Sequence, residues 1–86
     1  MRTIYKQKLE VIGYQEIKVP TGSTPLHIGT QFNDVCIWYE CDPTGDLVPM
    51  KIHCFGTGHK IGPEVLVYIS TVKLHDDSLV LHFYVE

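Results

Sequence analysis

A chain of 86 residues has room for one hydrophobic core and a single domain, residues 1–86, and no second domain fits. With 44% hydrophobic and 20% charged residues it has the balance of a globular protein and not that of a disordered one. Seven Lys+Arg against ten Asp+Glu give a formal charge of -3 with the basic residues scattered, so the field that draws proteins onto nucleic-acid phosphates or anionic lipid is missing and nonspecific nucleic-acid binding is not expected.

The dominant local pattern is alternation with period two, bounded by Gly, Pro, Asn and Asp, which is the signature of strands. Residues 2–10, through Ile4, Tyr5 and Leu9, predict an opening strand that Gly13 breaks. Residues 15–19 set Ile17 and Val19 against Glu16 and Lys18 and run into Pro20, and Thr21-Gly22-Ser23 has the residues of a turn. In residues 26–32 the predicted apolar face is Leu26, Ile28 and Phe32, with Asn33-Asp34 as the tight reversal that follows. Residues 35–41 place Val35, Ile37, Tyr39 and Cys41 opposite Cys36, Trp38 and Glu40. Both faces are largely apolar, which predicts a central strand.

Residues 42–46 read as a hairpin turn, since Pro43 presets φ and Gly45 suits the left-handed position. Val48, Met50, Ile52 and Cys54 then form an inner face with Lys51 and His53 outward, and Pro49 predicts an edge or a bulge. Residues 55–63 break the pattern with three glycines and a proline, and Pro63 suits the start of a short helical turn at residues 62–64. Residues 65–74 show Leu66, Tyr68, Val72 and Leu74 against Val67, Ile69 and Lys73. Asp76-Asp77-Ser78 turns them into residues 79–85, where Leu79, Leu81, Phe83 and Val85 alternate with Val80, His82 and Tyr84. The expected fold is all-β, with about seven mostly antiparallel strands joined sequentially as a meander, in a small barrel or sandwich. A domain this small gains from pairing, so a homo-oligomer or a partner complex would be unsurprising.

Gly56, Thr57, Gly58, His59 and Lys60 are the leading ligand candidates, because glycines let backbone N–H groups converge on an anion and Lys60 adds a positive charge. The segment is neither a Walker loop nor a dinucleotide fingerprint, and the competing reading is a tight connection capped by His59. No metal site is expected: Cys36 and Cys41 are five apart on one strand and so face opposite ways, and no CxxC or HxxxH spacing occurs. Three cysteines leave at least one thiol unpaired, which fits a reducing cytosol, and the first residues show no apolar signal segment, so a cytoplasmic location is expected. No catalytic constellation stands out, and no cofactor is expected. Trp38, Tyr39 and Tyr84 are candidates for a surface that meets a protein partner.

The segments Arg2-Thr3-Ile4-Tyr5-Lys6, Ile37-Trp38-Tyr39 with Asp42-Pro43, Phe55-Gly56-Thr57-Gly58-His59-Lys60-Ile61 and Tyr68-Ile69-Ser70-Thr71-Val72 carry a resemblance over nearly the whole chain. It resembles a family of small uncharacterised proteins encoded by bacteriophages and prophages. The resemblance implies an accessory factor in the infected bacterial cytoplasm that binds a host protein or neutralises a defence component. The expected function is therefore non-catalytic binding of such a component. One alternative is a small-molecule binder that sequesters a nucleotide-derived, phosphate-containing ligand at residues 56–60. Another is a small hydrolase that uses His59 as acid or base.

Overall fold

Alternating side chains become strands when each can bury its apolar face, and seven segments of this chain do so. The computed structural model describes Met1–Glu86, with β1 (Thr3–Lys8), β2 (Tyr14–Pro20), β3 (Thr24–Gln31), β4 (Asp34–Cys41), β5 (Leu47–Gly56), β6 (Val67–Leu74) and β7 (Leu79–Val85) and no helix. A three-stranded sheet has the order β1-β4-β3 and a four-stranded sheet the order β2-β5-β7-β6, with every neighbouring pair antiparallel. The molecule is only 15 Å through its thinnest dimension, as two sheets stacked about 10 Å apart require. It is a sandwich-like fold and not a closed barrel.

The inward-facing residues of both sheets meet in one core. Ile28, Ile37, Ile52, Phe83 and Cys41 are fully enclosed, and Val19, Val35, Tyr39, Val72 and Val85 pack around them. Each buried Ile or Phe contributes about 1.5–3 kcal/mol over its exposed state, so these rows supply most of the driving force. β4 is central, flanked by β1 and β3. β5 meets β7 only from Ile52 onward, so Pro49 stands where the strand has one neighbour, and its missing N–H costs the ladder nothing on the open side.

Four sequence expectations need correction. The pairing is not a meander: only β3–β4 and β6–β7 are hairpins, and residues 42–46 carry the chain from the three-stranded sheet to the four-stranded one. That crossing turn is held by Gly45 N–H donating to Asp42 O at 3.0 Å and by Asp42 Oδ1 accepting from the Thr44 amide and hydroxyl. The Thr44 hydrogen bonds hold the Asp42 carboxyl below its ordinary pKa. The opposite crossing, through Gly22 at φ 77, is tied to it by Thr21 N–H donating to Asp46 O at 2.7 Å. Second, residues 62–64 form no helical turn.

Third, the β3–β4 reversal is Phe32-Asn33, one residue earlier than expected. Both residues have positive φ, 51 and 68, as a two-residue loop of this twist demands. Phe32 therefore leaves the apolar face and stands 90% exposed, in a conformation that costs a non-glycine residue about 1–2 kcal/mol. Fourth, two bulges interrupt the alternation. Leu26 is the extra residue between Pro25 and His27, and Ile69 the extra residue between Tyr68 and Ser70. Leu26 is thereby left exposed and Tyr68 is moved to the outer face, while Ser70 joins Val72 inside.

These bulges flank the place where the sheets meet edge to edge. No backbone ladder joins β3 to β6; the buried Ile28 N–H instead donates to Ser70 Oγ at 3.0 Å, and Ser70 Oγ lies 3.2 Å from His27 Nδ1. With Nδ1 unprotonated, the serine hydroxyl accepts from the amide and donates to the ring, so each atom is satisfied. Replacing Ser70 with Ala strands a buried amide, and we expect the urea unfolding free energy to fall by about 1–3 kcal/mol. An unchanged midpoint and slope would show that the amide is satisfied in another way.

Candidate functional site

The Gly-rich segment begins at the end of β5 and folds into one turn. His59 N–H donates to Gly56 O at 3.1 Å, and Gly58 takes φ 89 at the position where a type II turn needs glycine. The His59 ring folds back over the turn, and its Nδ1 accepts the Gly56 N–H at 3.1 Å. A Cβ on Gly56 would lie 2.9 Å from the ring, so glycine is what admits it. Two of the amides that an anion would use are therefore spent inside the turn. Gly56, Thr57 and His59 line a cleft of about 490 Å³ with Val11, Ile12, Gly13, Cys54 and the start of β7. Gly58 and Lys60 do not line it, and neither does any other Lys or Arg.

The three aromatic candidates are not brought together. Tyr39 is a core residue, 4% exposed, with its ring edge-on to Tyr5 at 6.2 Å and its phenol pushed up in pKa by burial. Trp38 is half-buried on the outer face of the three-stranded sheet, beside His27. Tyr84 is half-buried on the outer face of the other sheet.

Around Tyr84 lies a feature that crosses all four strands of its sheet. Tyr14 of β2 meets His53 of β5 at 5.0 Å between ring centroids, His53 stacks on Phe55 at 6.3 Å, Phe55 meets Tyr84 of β7 at 5.7 Å, and Tyr84 meets Tyr68 of β6 at 5.6 Å. Most of these contacts are edge-to-face, the arrangement that ring quadrupoles favour. His53 Nε2 is held by Glu86 at 2.6 Å, and Tyr14 O–H donates to Glu16 Oε1 at 2.8 Å, which raises the Tyr14 pKa. Beside the rings runs a polar line: Thr57 Oγ1 to His82 Nε2 at 2.9 Å, His82 Nδ1 to Thr71 Oγ1 at 3.0 Å, and Thr71 Oγ1 to Tyr68 Oη at 2.7 Å.

The chain belongs to the family described as Domain of unknown function (DUF7352), which matches residues 1–86. No curated protein and no solved structure matches it. The outer face of this DUF7352 chain was partly readable from alternation, which puts His53, His82 and Tyr84 outward. The Ile69 bulge hid Tyr68, and the glycines drew Phe55 into a loop when it in fact belongs to β5. No helix is long and apolar enough to cross a membrane.

All three cysteines are free, with Cys36 and Cys41 buried on opposite faces of β4 and Cys54 half-buried at the cleft. Burial pushes the Cys54 thiol up in pKa, which lowers the fraction present as reactive thiolate. Iodoacetamide at neutral pH should therefore label Cys54 in the folded protein several-fold more slowly than it labels glutathione. Labelling as fast as the free thiol, followed by mass spectrometry, would contradict this placement.

Proposed function

We propose that this protein is an accessory binding factor, of the kind small phage and prophage genes encode, that engages a host or defence protein in the bacterial cytoplasm. The single observation that carries the reading is the band of five rings across the outer face of the four-stranded sheet. Tyr14 and Tyr68 at its ends are about half exposed. Glu16, Lys18, Lys51 and Lys73 lie along the same strands as a charged rim. Aromatic side chains at the centre with charge at the edge is the composition that protein interfaces favour. Rings already packed against one another lose little freedom on binding, which favours affinity.

Sequestration of a phosphate-containing ligand at the Gly-rich turn has less support. The cleft has the volume of a ligand site, yet the turn spends its Gly56 and His59 amides internally and no cation lines the walls. The hydrolase reading on His59 would need a second titratable group, and the hydrogen bonds of this side chain run only to its own turn.

Partner capture from bacterial lysate tests the main reading, with the recovered protein then titrated in purified form. Tyr14→Ala combined with Tyr68→Ala should weaken the affinity at least about tenfold while leaving the melting temperature close to that of the parent. Trp38→Ala, on the other sheet, should not change it. Binding that survives the double change and is lost with Trp38→Ala would move the interface to the three-stranded sheet and overturn the proposal.

A further inference from the structure

Thr57, His82 and Thr71 play no part in partner capture, and the line they form, which ends on Tyr68 of the aromatic band, has the geometry of a nucleophile, a base and an orienting group in sequence. Three elements converge to build it. Thr57 is the first central residue of the turn after β5, His82 is on the outer face of β7, and Thr71 is its direct partner in register on β6. We propose that Thr57 is a nucleophile for acyl transfer, with His82 as its general base and Thr71 as a positioning residue, acting on carboxylic esters with a short apolar acyl group. This goes beyond the binding reading and does not rest on it.

Hydrogen-bond order decides whether the line can work. When the His82 proton is on Nδ1, it is donated to Thr71 Oγ1 at 3.0 Å, and Thr71 O–H passes on to Tyr68 Oη at 2.7 Å. Nε2 is then free to accept the Thr57 hydroxyl proton at 2.9 Å, which is the distance a general base needs. The opposite order, starting from the Tyr68 phenol, leaves Nε2–H donating to Thr57 and provides no base. A neutral threonine orients the ring here in place of a carboxylate, so turnover should be slow.

The turn supplies the other two requirements. Gly56 and His59 use their amides internally, whereas the Thr57 and Gly58 N–H groups make no hydrogen bond within the protein. They are the donors adjacent to the nucleophile, where the oxyanion of a tetrahedral intermediate would form. Nothing lies within 4 Å of a Cβ built on Gly58, so the turn is open on that side. Thr57 stands between the His82 ring on the outer face and the 490 Å³ cleft, which His82 does not line and whose apolar walls of Val11, Ile12, Leu79 and Leu81 suit a hydrocarbon acyl chain.

In the step itself Thr57 Oγ bonds to the ester carbonyl carbon as its proton passes to His82 Nε2. The intermediate collapses with cleavage of the bond to the leaving alcohol, which takes the proton from Nε2. Water then attacks acyl-Thr57 by the same proton path, releases the carboxylic acid and restores the hydroxyl.

p-Nitrophenyl butyrate is the probe, with nitrophenolate release followed optically and the adduct located by peptide mass mapping. The expected result is one butyryl group on Thr57, formed at a rate that rises with pH as a single imidazole loses its proton. Thr57→Val should remove the adduct, His82→Gln should slow acylation about 100-fold, and Thr57→Ser should keep it. Thr71→Val should slow acylation and displace the pH profile, and Thr71→Ser should restore both, which a merely structural role would not do. A butyryl group on Cys54, His59 or a lysine, no adduct at all, or an unchanged rate in a folded His82→Gln variant would overturn the proposal.

Discussion

Antiparallel sheets that stop short of closing leave backbone donors on their outermost strands, and here one such edge is buried. β3 and β6 are the edges of different sheets, brought side by side without a ladder between them. A buried amide with no partner costs about 1–3 kcal/mol, a large share of the stability of a domain this small. Ser70 Oγ removes that cost at Ile28, and with His27 Nδ1 unprotonated the ring completes the set by accepting a hydrogen bond from the serine hydroxyl. At this seam a side-chain hydroxyl satisfies the backbone donor that a neighbouring strand would have satisfied in a closed barrel.

Part of the outer face is set on the same strand, β6. The β6–β7 hairpin register turns Ser70 inward opposite Phe83 and pairs Thr71 with His82, and the bulge at Ile69 then brings Tyr68 opposite Tyr84. Without the extra residue the strand would present its other face, and Tyr68 would enter the core as regular alternation predicts. The aromatic band would then end at Tyr84 and the polar line at Thr71. The bulge thus adds one ring to the outer face of the sheet.

Which segments form strands could be read from the sequence, because the alternation in β4, β5 and β7 has few exceptions and each exception is marked by Gly or Pro. Strand order could not. The turn at residues 42–46 has the same Pro and Gly chemistry whether it closes a hairpin or crosses between sheets, and only the packing of the whole chain chooses. The bulges at Leu26 and Ile69 carry no glycine and so gave no local signal. β4 is apolar on both faces, so its sequence could not say whether Tyr39 or Trp38 turns inward. Of the Gly-rich segment, the turn and the His59 cap were legible. The partnership of Thr57 with His82 spans 25 residues and depends on the register of β5, β7 and β6.

Amide hydrogen exchange at Ile28, followed by NMR in the native protein, tests the seam most directly. A hydrogen bond to buried Ser70 predicts that this amide, on the side of β3 turned away from β4, exchanges as slowly as the amides of the central strand. Exchange at the rate of an open edge, with β4 still protected, would mean that β3 and β6 do not meet and would contradict the arrangement on which the rest depends.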